Sequence, residues 1–181
     1  MKNKRTMRIS QTALIAAIYT VLTYAQGFLL PGSTTAAVQF RVSEVMNVLA
    51  LFTPAAIPGL TIGCILSNIY SIGQGLPLDM VFGSLATLCA TSAIYLLRKI
   101  KIKNFPFLSM LMPAIFNGII VGWEIEVFFI DGKFHLASYL IQLGLVALGE
   151  FGVMFVLGTP LYFALDKQSM KKVLNADDKK N

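Results

Sequence analysis

Two glutamates, one arginine and three asparagines stand inside long apolar stretches of this chain, and their types and spacing limit the chemistry open to them. Arg41, Glu44 and Asn47 follow one another at intervals of three within VQFRVSEVMNVLALF. On a helix such residues share a face. Glu150 stands in LIQLGLVALGEFGVMFVL, 15 residues after His135, Asn117 in PAIFNGIIVG and Asn68 in ILSNI. Ionisable groups within a membrane span are costly and are functional candidates by default. A carboxylate in a dry cleft accepts from two adjacent N–H groups, and an asparagine donates and accepts at once. That donor and acceptor set suits a nitrogen-rich heteroaromatic amide such as a guanine-like ring. Arg41, Glu44 and Glu150 sum to one negative charge, so a cationic ligand is tolerated better than an anionic one.

Plainer readings stand beside this one. Arg41 and Glu44 could neutralise each other at the interface, and the asparagines could serve interhelical hydrogen bonding. Glu150 has no cationic residue within a turn or two on its own helix, which argues against a packing role alone. Asp79, Glu124 and Glu126 are expected nearer the outer surface, solvated at helix ends. His135 is the single histidine, at a loop end, so a metal site of several His or Cys ligands is not expected. No cofactor is implied.

The elements that must hold these residues follow from composition. The chain has 181 residues, of which 56% are hydrophobic and 13% charged, against about 25% charged in a typical soluble domain. Mean hydropathy is +0.70. Such a chain cannot bury its apolar surface as a soluble domain of this size. Disorder, a disulfide scaffold and a nucleic-acid module are excluded as well; Cys64 and Cys89 each lie in an apolar run, where a free Cys acts as a small hydrophobe. What remains is an all-α membrane protein, one integral domain over residues 1–181.

Charge orients it. Of 15 basic residues, 13 fall in three clusters: Lys2 to Arg8, the segment RKIKIK from Arg98 to Lys103, and the tail from Lys167. Lys and Arg mark cytoplasmic ends, so all three clusters are placed inside. Apolar runs give spans near 7–30, 36–53, 57–71, 78–97, 106–129 and 136–165. The first has a cationic front like a signal peptide, but its length and the lack of a small-residue cleavage site favour a retained helix. Pro54 and Pro58, in TPAAIPG, separate the second and third spans at a tight cytoplasmic turn, because proline lacks the N–H and clashes with the preceding turn. Six transmembrane helices with both termini cytoplasmic result, with short outer connections near 31–35, 72–77 and 130–135 and a polar tail at 166–181. Trp123 falls where an interfacial aromatic would sit.

Small residues recur one turn apart: Ala13 and Ala17, Gly59 and Gly63, Gly118 and Gly122. Such pairs let helix backbones approach closely, and the first of them could dock a separate membrane protein. No GxxxxGK[ST], HExxH or GxSxG segment occurs, so no catalytic constellation is assembled. No duplication of the halves appears, which argues against a self-sufficient inverted-repeat transporter. An intramembrane enzyme using Glu44 and Glu150 as acid and base would lack a nucleophile and a metal.

Ala13xxxAla17, the stretch from Val38 to Ile69, DMVFGSLATL from Asp79 to Leu88 and PAIFNGIIVG from Pro113 to Gly122 together resemble the QueT family over most of residues 8–165. These are substrate-binding S components of energy-coupling-factor (ECF) transporters. The resemblance implies a six-helix S-component fold in a bacterial cell membrane. It also implies a bound queuosine precursor (a 7-deazaguanine base), and energy supplied by a membrane coupling protein and two cytoplasmic ATPases. Ala13 and Ala17 would contact the coupling protein; Arg41, Glu44, Asn47, Asn68, Asn117 and Glu150 are the candidate ligand residues. An S component for a different vitamin or nucleobase is the alternative.

Overall fold

A computed structural model describes residues 4–30, 40–73, 78–130 and 134–167. Of the outer connections expected near 31–35, 72–77 and 130–135 and the tail 166–181, residues 31–35, 74–77, 131–133 and 168–181 lie outside the described residues. The described chain is helical: α1 (Lys4–Leu29), a 3-10 helix (Val42–Leu51), α2 (Ala56–Gly73), α3 (Asp79–Leu97), α4 (Phe107–Phe128), α5 (Leu136–Gly152), a π-helical turn (Val153–Leu157) and α6 (Gly158–Leu165). The described residues contain no strand, only an isolated bridge between Ile102 and Phe105.

Four helical stretches are long and apolar enough to cross a membrane: Arg5–Leu29, Asp79–Leu97, Phe107–Phe128 and the continuous Leu136–Leu165. Four of the runs read from sequence coincide with them. Leu14, Val21, Val81, Leu140, Leu148 and Val156 point outward, while polar and charged side chains are buried within. That inversion of the soluble pattern is what a lipid solvent demands.

The region 36–53 departs from expectation. Its described part winds as a 3-10 helix of 10 residues, which rises roughly 20 Å, short of the roughly 30 Å hydrocarbon core. The helix α1, α2, α3, α4, α6 and the π-helical turn all pack against it, so it forms the centre of the bundle. Surroundings on every side hold a geometry that isolated chains rarely sustain beyond a turn. The chain then reverses at Thr53–Pro54, where the amides of Ala56 and Ile57 bond the carbonyls of Thr53 and Pro54, both at 3.2 Å. Pro54 alone makes the break. Pro58 lies in the first turn of α2, where an amide N–H has no intrahelical acceptor to lose.

The 3-10 helix divides the interior. Its second half carries Val48, Ala50 and their neighbours into apolar clusters with Leu60, Ile94, Met110, Met154 and Tyr162. Its residues up to Asn47 include Ser43, Glu44 and Asn47, all buried. Consecutive α-helices from α1 to α5 pack side by side, and glycines set two of the seams. A Cβ at Gly63 would come 3.0 Å from the carbonyl oxygen of Ala16, and one at Gly122 would come 2.9 Å from the Leu143 N and Cα atoms. These neighbours are backbone and cannot swing aside. Gly122→Ala should therefore destabilise the protein by about 1–3 kcal/mol and lower its thermal midpoint in detergent. Gly144→Ala, whose Cβ meets nothing within 4 Å, should leave the midpoint unchanged or slightly raised.

Candidate functional site

The C-terminal half of α1, the start of the 3-10 helix, the end of α2, the start of α3 and the C-terminal half of α4 meet at one end of the bundle. There they bury a polar cluster. Its members enter in an order set by local structure. Gln26 on α1 donates to the Phe40 carbonyl and accepts from the Val42 amide at 2.7 Å. One amide side chain thus holds the strand of backbone that enters the 3-10 helix. Thr23, one turn earlier, donates to the Ser43 hydroxyl at 2.8 Å. With its entry fixed, the 3-10 helix presents Glu44 and Asn47 along one edge, because three residues make one turn, and Arg41 stands at its N-cap in extended conformation.

Arg41 is 7% exposed. It pairs with Asp79, the first residue of α3, and its Nη2 donates to Asn68 Oδ1 at 3.4 Å. Asn68 Nδ2 in turn donates to the Asp79 carbonyl at 2.7 Å. Gly83, a turn into α3, leaves room for this group: a Cβ there would sit 2.8 Å from Asp79 Oδ1 and 3.2 Å from Asn68 Nδ2. Arg41 therefore pairs with Asp79 rather than with Glu44.

Glu44 has other partners. Its Oε1 accepts from the Tyr19 hydroxyl and its Oε2 from Asn47 Nδ2 at 2.5 Å. Glu150 is buried on α5, with Asn117 beside it and Glu44 and Arg41 as its charged neighbours. The helix widens into its π-helical turn three residues later, an irregularity often found at functional sites. All six residues singled out from the sequence as ligand candidates thus fall in one buried group.

Asp79, Glu124 and Glu126 correct the sequence reading. They are not solvated at helix ends but buried, at 3%, 1% and 0% exposure. Arg41 draws Asp79 inward, and Glu126 accepts the backbone N–H of His135 at 2.9 Å at the start of α5. Glu124 has Asp79 and Arg41 as its charged neighbours. Sequence reasoning also passed over Tyr19. The signal was present: Tyr19, Thr23 and Gln26 fall at helical spacing along an otherwise apolar span, a polar stripe on one face. Tyr19→Phe removes one of the two donors on Glu44. It should weaken ligand binding roughly 2- to 10-fold, measured by titration of the purified protein, with the ligand-free protein also melting earlier.

Several polar atoms in the cluster are buried without a partner: Arg41 Nε, Asn47 Oδ1, Asp79 Oδ1, Asn117 Nδ2, Glu150 Oε2 and both carboxylate oxygens of Glu124. Native interiors leave few such atoms, and each is costly. Donors and acceptors from four elements, the 3-10 helix with its N-cap, α3, α4 and α5, thus await hydrogen bonds at one place. The arrangement can grip a polar, nitrogen-rich molecule. Among the described residues, no three His, Cys, Asp or Glu side chains converge as metal ligands would.

Ala13 and Ala17 lie elsewhere, exposed on the outer face of α1 beside Leu14, Ile18 and Val21. Ile15, Ala16 and Tyr19 form the opposite, buried face.

A family model described as QueT transporter matches residues 9–167. The queuosine precursor transporter QueT of Lactococcus lactis subsp. cremoris (strain MG1363) is 32% identical over 159 residues, covering 86% of this chain and 90% of that protein. No solved structure matches.

Proposed function

The chain belongs to the QueT transporter family, and from that membership we propose that it captures a queuosine precursor, a 7-deazaguanine base, as the S component of an ECF transporter. The observation that carries the reading is the buried polar cluster with its unpartnered atoms. A deazaguanine presents adjacent ring and exocyclic N–H groups and a carbonyl on one edge. Glu44 or Glu150 accepts the N–H pair, and Asn47 and Asn117 supply the complementary acceptor and donor. Arg41 and Asn68 fix Asp79 and close the far side.

Placement in the membrane supports the same reading. Arg5, Arg8, Arg98 to Lys103 and Lys167 fall at the start of α1, the end of α3 and the end of α6. Helix direction puts all of these at the end of the bundle opposite the polar cluster. With basic residues inside, the cluster opens toward the exterior. The four long spans, joined by the 3-10 helix and α2, then give a six-segment protein with both ends cytoplasmic. The chain has no nucleotide-binding loop, so its energy comes from a coupling protein docked at Ala13 and Ala17 and from two ATPases beneath it.

Saturable binding of a labelled deazaguanine to the purified chain tests the substrate, with guanine, riboflavin and thiamine as competitors. Displacement by guanine alone of the three is expected. Displacement only by riboflavin or thiamine assigns the protein to another vitamin, and no saturable binding of any deazaguanine refutes the substrate. Reconstituted alone in liposomes, the chain should bind but not concentrate its ligand.

A further inference from the structure

At the end of the bundle opposite the polar cluster lies a small basic cavity, and we infer that it takes the phosphate of an anionic phospholipid from the inner leaflet. Placing it in that leaflet depends on the orientation proposed above; nothing in it depends on what the protein transports. The cavity lies where the end of the 3-10 helix, the connection between α3 and α4 and the end of α6 meet. Arg98, Lys101, Tyr162 and Asp166 are its polar lining, and its volume is about 110 Å³. Sites for whole small molecules run to roughly 300–1,000 Å³, so this one admits a single polar group.

Both cations are held in place. Arg98 Nη1 donates to the Tyr95 carbonyl at 2.8 Å, and its guanidinium carbon stands 3.5 Å from the centre of the Tyr95 ring. Lys101 folds back onto Tyr162, its Nζ donating to the hydroxyl at 3.3 Å and lying 5.9 Å from the ring centre. Buried Tyr162 donates in turn to the Asn104 carbonyl at 3.4 Å. The chain turns sharply beside Lys101. Lys103 and Asn104 both take left-handed backbone, with φ of 50° and 63°, and Ile102 and Phe105 exchange backbone hydrogen bonds at 2.9 and 3.0 Å. That is a two-residue turn of the kind such angles make, and it sets Phe105 edge-on to Tyr162, with ring centres 5.6 Å apart.

Among the described residues neither Arg98 nor Lys101 makes an ion pair, although Asp166 lines the same cavity. Arginine carries five N–H donors and a lysine ammonium three, so most of these donors remain for an anion. Phosphate suits the set, since arginine grips it bidentately and lysine meets it as a point charge. The flank of the cavity decides where that phosphate comes from. Pro106 is followed by Phe107 and Tyr162 by Phe163, and both phenylalanines are exposed, as are Ile100 and Ile102. A free phosphate has no use for this apolar flank. The acyl chains of a lipid cover it while the headgroup reaches Arg98 and Lys101, and basic pockets at the cytoplasmic ends of membrane helices hold such headgroups.

The test is native mass spectrometry of the purified full chain in detergent, with phosphatidylglycerol and phosphatidylcholine added in equal amounts. Wild type should retain the anionic lipid in preference by roughly 10- to 30-fold. Arg98→Gln/Lys101→Gln should bring the ratio near unity. Lys99→Gln/Lys103→Gln removes the same charge from exposed positions of the same segment and should keep the preference. Arg98→Gln alone should lower it roughly 5-fold, and stands in if the first double variant does not fold. Excess inorganic phosphate should not displace the retained lipid. Equal retention of the two lipids by wild type, or a preference that survives loss of Arg98, would overturn the inference. Equal loss in both double variants would reduce it to diffuse attraction and overturn the built site, and displacement by inorganic phosphate would overturn the lipid as its source.

Discussion

Ala13→Trp or Ala17→Trp is expected to abolish uptake in cells while leaving ligand affinity of the purified protein unchanged. Both alanines are exposed on α1, one turn apart, and neither contributes to the core. A tryptophan on that face meets no atom of its own chain that must move, so fold and site stay intact. A partner helix is affected differently. Small residues one turn apart permit close backbone approach in a membrane, and an indole there holds the partner helix away. The buried side of the same helix carries Tyr19, Thr23 and Gln26, which lie within the polar cluster. On the proposed reading, one helix serves docking with one face and the site with the other. Uptake assays in cells, paired with titration of the purified variants, check this. Normal transport by both variants would remove α1 from the partner interface.

Glu150→Gln and Glu44→Gln should each weaken binding by about 1.5–3 kcal/mol, roughly 10- to 150-fold in Kd. The two should part company in stability. Glu44 accepts from Tyr19 and Asn47, and an amide in its place can accept through only one atom, so Glu44→Gln should also melt earlier. Glu150 keeps an unpartnered oxygen in the ligand-free protein. Removing an uncompensated buried charge relieves a desolvation penalty, and Glu150→Gln should therefore match or exceed the wild-type thermal midpoint while binding poorly. A residue serving packing alone would lose stability and spare affinity. Thermal melts and titrations on the same preparations separate the two cases.

The long helices were legible because a continuous apolar run of about 20 residues has few alternatives. Glu44 and Asn47 were legible as one face because an interval of three keeps residues together on either an α or a 3-10 helix. That this segment winds as a 3-10 helix was not, since packing from several helices decides it and no local residue announces it. The fate of Asp79 was hidden for a similar reason. Position along the chain put it near the end of a span, where water is the default partner, whereas Arg41 reaches it from 38 residues away. Glu124 and Glu126, near the end of α4 as expected, were read as solvated by the same default. Asn117 beside Glu150 is a contact between two helices, which spacing along either one cannot reveal. Gly122 was read as a packing residue, and the Leu143 backbone that it accommodates emerged only with the fold.

The central claim is that the buried, incompletely bonded cluster around Glu44, Asn117 and Glu150 is the ligand receptacle. Equilibrium titration of one labelled deazaguanine against wild type and the double variant Asn117→Ala/Glu150→Gln tests it most directly. The account predicts single-site saturation for wild type and no saturation over the same range for a variant that still melts cooperatively. Equal affinity of the two proteins would contradict it.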